Sequence, residues 1–500
     1  MTTRIGGKAL AMSAGVGISR ITGLLREQSF AYLFGASPAT QAFVAAFRIP
    51  NFFRDLLAEN IASAAVLPTY IGIREKEGPE AASRFAASTL ALILTAACII
   101  VALGILLAEP ICHLVAPGFA SDPGKFTLMV TLTRWLFPFL LLISIAAYFQ
   151  AIQNAAGRFF LPAASTAGLN IGFIAAGWYF SSLLDPPILG MAWGALCGGL
   201  VAVLMLAPGY RSATGSLRLE SFSGKAEIHS MLWLAAPVVL GVAATNINVL
   251  VNTFAASYAE DGAIAWLNYG YRIMHLPLGL IAVSLGSAAL PALSRAFASG
   301  DKEQFRVTIG EALSHSIRLS IPATLGLVLL RDDIVDVLYG YGRFTADDVR
   351  HTGLALAAYC VGIPAFSFNR ILAPAFYARK DTRTPVRIGM VSVLTNMAGN
   401  AAALYLGYGY LGIALAASVA GCVQMSLLLV TLRRKAGRIG GRIMARALAW
   451  TVLVCALMAG SMLMAKEAGI ENLYARLAAE IASGCAIYGV ALGISKRMRI

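Results

Sequence analysis

Between Arg84 and Glu109 the chain carries no charged side chain, running through Leu92-Ile-Leu-Thr-Ala-Ala-Cys-Ile-Ile-Val101. About 20 such residues in a helix cross the hydrocarbon of a bilayer. Lipid offers an unpaired backbone group no partner, so a run of this kind is stable there as a helix. The pattern recurs at roughly 126–152, 162–182, 187–208, 230–256, 310–331, 386–406, 409–432, 444–465 and 472–495. Four further stretches, 9–34, 41–72, 265–292 and 349–377, are apolar but interrupted by arginines. The sequence therefore predicts an all-α integral membrane protein of about fourteen transmembrane helices.

Composition agrees. The 500 residues are 58% hydrophobic and only 13% charged, against about 25% charged in a typical soluble chain. A soluble domain so poor in charge could not cover its own surface. Collagen, coiled coil, a disulfide scaffold and a disordered chain are excluded. The seven cysteines lie mostly inside apolar runs, without a CxxC or a Cys/His cluster, and read as small buried hydrophobes; no metal or other cofactor is expected. The apolar stretch from Ala9 to Ser19 continues through Arg20 as a longer helix pattern, unlike a signal peptide.

An even number of spans puts both termini on one side. With the N-terminus in the cytoplasm, the basic residues crowd the cytoplasmic loops, most densely as Arg433, Arg434, Lys435, Arg438, Arg442 and Arg446. The opposite face holds Lys125, Arg331, Arg343 and Lys466. This bias predicts cytoplasmic termini. It also accounts for most of the net charge of +14 through loops facing an anionic leaflet, so nucleic acid is not an expected partner.

The chain repeats itself. Pro68 and Pro162 recur as Pro291 and Pro385, 223 residues on, and Arg48 recurs as Arg272 at 224. Six spans fit each unit, giving two six-helix lobes of the same orientation: residues 1–225, residues 226–435, and an extra C-terminal helix pair at 436–500. Substrates of such proteins bind between the lobes.

Ten basic residues remain inside the spans, and all are arginine. Five central ones facing lipid would cost about 12–18 kcal/mol at roughly 2.5–3.5 each, which rivals the stability of a domain, about 5–15 kcal/mol. They must face water, a partner charge or a ligand. In the first span lie Arg20, Arg26 and Glu27. The second carries Arg48, Arg54 and Asp55, with Glu59 one turn beyond. Seven residues return to nearly the same helix face, so Arg20 shares a stripe with Glu27 and Arg48 with Asp55 where the helix is regular; Pro50 distorts it. Two readings stand. The arginines join helices through ion pairs, or they form an anion site, for which a planar guanidinium fork suits phosphate or diphosphate. Asn246, Asn248, Asn252, Asn369, Asn396 and Asn400 either meet sugar or peptide groups or bond helix to helix. His275 lies one turn from Arg272 and either lines the same cavity or packs between helices. Arg134, Arg350 and Arg476 sit near span ends, where they are expected to reach the interface. Gly194 and Gly198 form a small-residue packing motif. No Walker loop or zinc helix motif is present, and no acid-rich loop suggests an enzyme.

Several stretches resemble the lipid II flippase family (MurJ, also called MviN), within the superfamily that includes multidrug exporters. They are Ser19-Arg-Ile-Thr-Gly-Leu-Leu-Arg26-Glu, Phe47-Arg-Ile-Pro-Asn-Phe-Phe-Arg54-Asp-Leu-Leu-Ala-Glu59, Ala116-Pro-Gly-Phe119, Tyr341-Gly-Arg-Phe-Thr345 and Leu372-Ala-Pro-Ala-Phe-Tyr-Ala-Arg379. The resemblance runs from about residue 10 to the end. It implies a flippase of the bacterial inner membrane that moves the undecaprenyl-diphosphate-linked peptidoglycan precursor, lipid II, to the periplasmic leaflet by alternating access. Arg20, Arg26 and Arg272 would grip the diphosphate, Arg54 and Glu59 would latch the cytoplasmic side, and the last two spans would form a groove for the lipid tail. Lipid II and membrane lipids are the implied partners, and other cell-wall synthesis proteins are candidate partners. Where the family often has acids this chain has Gln41, Tyr271 and His275, which counts against carboxylate gating or ion coupling there. The alternatives are a flippase for another polyprenyl-diphosphate glycan or a drug/cation antiporter, the latter expected to have membrane carboxylates without an arginine excess.

Overall fold

A computed structural model describes residues 2–59, 61–215, 246–468 and 470–497, and among them every regular element is a helix. The chain divides into two compact units, Met1–Tyr258 and Ala259–Ile500. The sequence-based boundary at residue 225 and most of the span at 230–256 lie outside the described residues.

The first unit opens with α1 (Thr2–Phe34), then α2 (Pro38–Phe53), α3 (Leu67–Lys76), α4 (Pro79–Leu106) and α5 (Ala108–Val115). It continues through α6 (Pro123–Ala155), α7 (Phe160–Ser181) and α8 (Leu189–Thr214). Residues 246–256 form a further helix, α9. The second unit holds α10 (Ala263–Ala298), α11 (Lys302–Leu329), α12 (Arg331–Tyr339), α13 (Ala346–Cys360) and α14 (Ile363–Ala378). After these come α15 (Arg383–Tyr405), α16 (Gly409–Ala436), α17 (Gly441–Glu467) and α18 (Leu473–Arg497).

Local chemistry sets these boundaries. Ser37 caps α2 through Thr40 N, with Pro38 in the first turn. Asp122 caps α6 by accepting from Gly124 N and Lys125 N, both at 3.1 Å. At the corresponding start of α13, Thr345 and Asp348 form a reciprocal capping box. Pro50 removes a donor inside α2, and the backbone passes into wider π turns at Arg54–Glu59 and Ala62–Val66 before α3 resumes.

The 223-residue repeat reaches into the backbone. Pro79, Ala108, Pro123 and Phe160 start α4, α5, α6 and α7. At that same offset Lys302, Arg331, Ala346 and Arg383 start α11, α12, α13 and α15. The short helices α5 and α12, which follow the long apolar α4 and α11, are a paired feature that the span pattern does not reveal. α17 and α18 have no counterpart in the repeat. Ala447 of α17 lies in one buried apolar cluster with Ile309 and Leu313 of α11 and Leu428 and Leu432 of α16. α18 is tied on by Arg476, which pairs with Asp333 of α12 at 2.8 Å.

Eight helices among the described residues are long and apolar enough to cross a membrane, nine if the pair α13 and α14, bent by 42°, is one span. α1, α2 with α3, and α10 are arginine-bearing helices outside that set, as is α15, where the sequence predicts a clear span. The small-residue motif works as expected. A Cβ on Gly198 would collide with Leu169 O, and one on Gly194 would sit 2.6 Å from Phe173 O, so α8 lies directly against the backbone of α7. All seven cysteines are free thiols.

Candidate functional site

On α1, Arg20 is exposed and makes no hydrogen bond or ion pair among the described residues. Arg26, six residues on, is held from two sides. Its Nη1 donates to Asn170 Oδ1 at 3.0 Å, and its Nη2 donates to Glu27 Oε1 at 2.8 Å. The guanidinium carbon lies 5.3 Å from the centre of the Phe173 ring. Asn170 and Phe173 both come from α7. The amide of Asn170 also donates to Ser19 O at 3.3 Å and to Thr22 Oγ1 at 3.2 Å, which fixes its orientation and so the direction of Arg26. Glu27 therefore meets its neighbour Arg26, whereas the helical spacing places it on the stripe of Arg20.

The second cluster sits where α2 gives way to π turns. Arg48 donates to Thr253 Oγ1 of α9. Arg54 grips Asp55 Oδ1 through Nε at 3.1 Å and Nη2 at 2.8 Å, and Asp55 Oδ2 accepts from Asn246 of α9 at 3.1 Å. Arg48 and Asp55 are seven residues apart, and so are their partners Thr253 and Asn246. The shared face expected of the first pair thus meets a shared face of α9, running in the opposite direction. Gln41, also on α2, is buried, and its Nε2 has no hydrogen-bond partner among the described residues. The side chain of Glu59 lies outside the described residues.

In the second unit, Arg272 and His275 lie one turn apart on α10. His275 Nδ1 is 3.0 Å from Tyr271 O, and the rings of Tyr271 and His275 are 4.1 Å apart. Asn369 of α14 donates to Gly421 O of α16 at 3.1 Å, one of the two roles the sequence allows it, a bond from helix to helix.

Both readings of the arginines therefore have support. Arg26 and Arg54 pair with carboxylates, but each pairs with an adjacent residue on its own stretch of helix and remains partly exposed, at 19% and 29% of the side chain. Each pair is also tied to another helix, Arg26 through Asn170 of α7 and Asp55 through Asn246 of α9. Asn170 and Thr253 are absent from the residues singled out by sequence. The available signal for Asn170 is a lone amide in an otherwise apolar span, which needs a buried partner.

Comparison with known proteins decides the family. The family described as lipid II flippase MurJ matches residues 30–476. The chain belongs to the lipid II flippase MurJ family. Its relatives include the lipid II flippase MurJ of Burkholderia cenocepacia, 32% identical over 425 residues, covering 84% of this chain and 82% of that one. The probable lipid II flippase MurJ of Vibrio cholerae is 34% identical over 429 residues, covering 84% and 81%. A solved structure of lipid II flippase MurJ in an inward-closed conformation matches with a TM-score of 0.81 at 26% identity, covering 98% of this chain and 99% of the other. An inward-facing multidrug resistance MATE transporter matches at 0.69 with 13% identity, covering 86% and 98%, a likeness of fold. The MurJ match and the apolar helices make the chain a multi-pass membrane protein.

Proposed function

We propose that the protein is a flippase, not an enzyme, that carries lipid II from the cytoplasmic to the periplasmic leaflet of the bacterial inner membrane by alternating access. Arg20, Arg26 and Arg272 bind the diphosphate. Arg48, Arg54 and Asp55, with Gln41, Glu59 and His275, line or gate the path. The lobes are 1–225 and 226–435, and the pair at 436–500 offers the groove for the polyprenyl tail. Fourteen spans leave both termini in the cytoplasm.

The observation that carries this reading is the arginine edge of α1. Arg26 is pre-aimed by Asn170, and Arg20 stands exposed without a carboxylate among the described residues. Paired with the family membership, an anionic headgroup is the cargo that this charge suits; an organic cation is not. Membrane potential can bias the cycle, since one elementary charge moved through 100 mV is worth about 2.3 kcal/mol.

The test is outward movement of lipid II in intact cells. Arg20→Ala, Arg26→Ala and Arg272→Ala should each abolish it while the protein still inserts; full activity in all three would end the diphosphate-site reading. Running the same assay with another polyprenyl-diphosphate glycan separates the substrates. For the orientation, Arg434→Cys on a cysteine-free background should label only from the cytoplasm.

A further inference from the structure

The most basic loops of the chain enclose a cavity of about 340 Å³ where four helix ends meet: the C-termini of α10, α14 and α16 and the start of α11. Phe297 and Phe305 form part of its wall, and Lys302, Arg306, Arg379 and Lys435 bring positive charge to it. The guanidinium of Arg379 lies 5.5 Å from the centre of Phe297 and 5.9 Å from that of Phe305, and it donates to Lys435 O at 3.4 Å. Arg306 donates to Ala436 O and lies beside Gly437, where a Cβ would sit 2.6 Å from Nη2.

The nearby acids offset part of this charge but leave Arg379 without a carboxylate partner among the described residues. Asp301 lines the cavity as a carboxylate and caps α11, accepting from Gln304 N at 2.8 Å. Glu303 is 77% exposed and only grazes Arg306 at 3.5 Å. Asp381 is taken by Lys435 at 2.5 Å and by Thr384.

The repeat supplies an independent argument. At the same offset of 223, the first unit has Pro79, Ser83, Ala156 and Ser212 where the second has Lys302, Arg306, Arg379 and Lys435. The first unit makes the matching closure with a different set of side chains: Ser83 donates to Thr214 O, much as Arg306 does to Ala436 O, while Arg158 donates to Ser212 Oγ at 2.9 Å. Lys302, Arg306, Arg379 and Lys435 thus have no basic counterpart at their own positions in the first unit, so the shared backbone does not impose this set of cations.

We propose that this cavity binds the phosphate of an anionic phospholipid headgroup. The spans end at its rim, which places it at headgroup depth, and basic pockets between helices on the cytoplasmic side suit such lipids. The arginine forks take the phosphate oxygens, and the two phenyl rings take the glycerol edge. The site is separate from the diphosphate site and rests on the membrane-spanning reading, not on the identity of the cargo.

The experiment measures binding to purified full-length protein in detergent by its thermal shift, titrating phosphatidylglycerol, phosphatidylcholine and inorganic phosphate. Wild type should be protected by phosphatidylglycerol and far less by the other two. Arg306→Ser with Arg379→Ala, the residues of the first unit, should weaken that protection about 30-fold, given the worth of two basic groups at a membrane surface. Arg379→Gln, a milder change, should weaken it about fivefold by the same measure; it keeps the test decisive if the double variant does not fold. Equal protection of wild type and Arg379→Gln would overturn the proposal. Equal protection by phosphatidylcholine would overturn the need for an anion, and protection by inorganic phosphate matching that by lipid would overturn the lipid source.

Discussion

The two halves of the repeat close the same joint with different chemistry. In the first unit Arg158 Nη2 donates to Ser212 Oγ at 2.9 Å; 223 residues on, Lys435 Nζ donates to Asp381 Oδ2 at 2.5 Å. Donor and acceptor have changed places, and a neutral partner has become a charged one, while the helix ends they join remain in register. A similar contrast appears on α7 and α15. Asn170 holds Arg26 in the first unit, whereas the matching position of the second is Val393. The backbone repeat is therefore a frame that does not dictate polar chemistry, and polar groups found in one half alone are the better guide to function.

The comparison can be broken hardest at the glycines. Gly198 abuts the backbone of α7, whereas a Cβ on its counterpart Gly421 would meet the ring of Phe366. A ring can turn aside and a backbone carbonyl cannot. Gly198→Ala should cost about 3 kcal/mol, the upper end of overpacking, and Gly421→Ala about 1 kcal/mol. Thermal unfolding of the purified variants checks the order, and equal losses would show that the two halves are packed alike.

A middling effect is expected at Asn170→Val, which installs the residue of the second half. Losing the acceptor for Arg26 and the bonds to Ser19 O and Thr22 should cost about 1–3 kcal/mol. If the clamp aims Arg26, lipid II transport should fall by more than stability alone explains. Unchanged transport in folded protein would make Asn170 a packing residue only.

The smallest effect belongs to the exposed joint. Lys435→Ser should change stability by about 0–1 kcal/mol, as surface pairs do. The hydrogen bond from Lys435 holds the Asp381 carboxyl down at about 2, against an ordinary 3.8. A depressed carboxylate contributes stability above its unfolded pKa and loses it as pH falls toward the folded one. The difference between wild type and Lys435→Ser should thus be constant above about pH 5 and vanish as the pH drops from about 4 to 2. A difference that grows on acidification would contradict the assignment.

Much of the fold was legible because lipid leaves few options: apolar length marked the long helices, and two prolines marked the repeat. What escaped had no period to betray it. α5 and α12 are too short to register as spans, and the π turns after Pro50 depend on how α2 meets its neighbours. At the site, arginine in an apolar helix was a readable signal because of its cost. Its partners were not, since Asn170 lies 144 residues from Arg26 and Thr253 lies 205 from Arg48. Spacing along one helix could pair Glu27 with Arg20, but only packing against α7 shows Arg26 in the clamp.

The central claim is that guanidinium forks on α1 hold the diphosphate of lipid II. Its most direct test is the affinity of purified protein for lipid II in wild type, Arg26→Lys and Arg26→Ala. Loss of a charge-assisted fork predicts binding about 10–100-fold weaker in Arg26→Ala, with Arg26→Lys recovering only part of it. Wild-type affinity in Arg26→Ala would contradict the account.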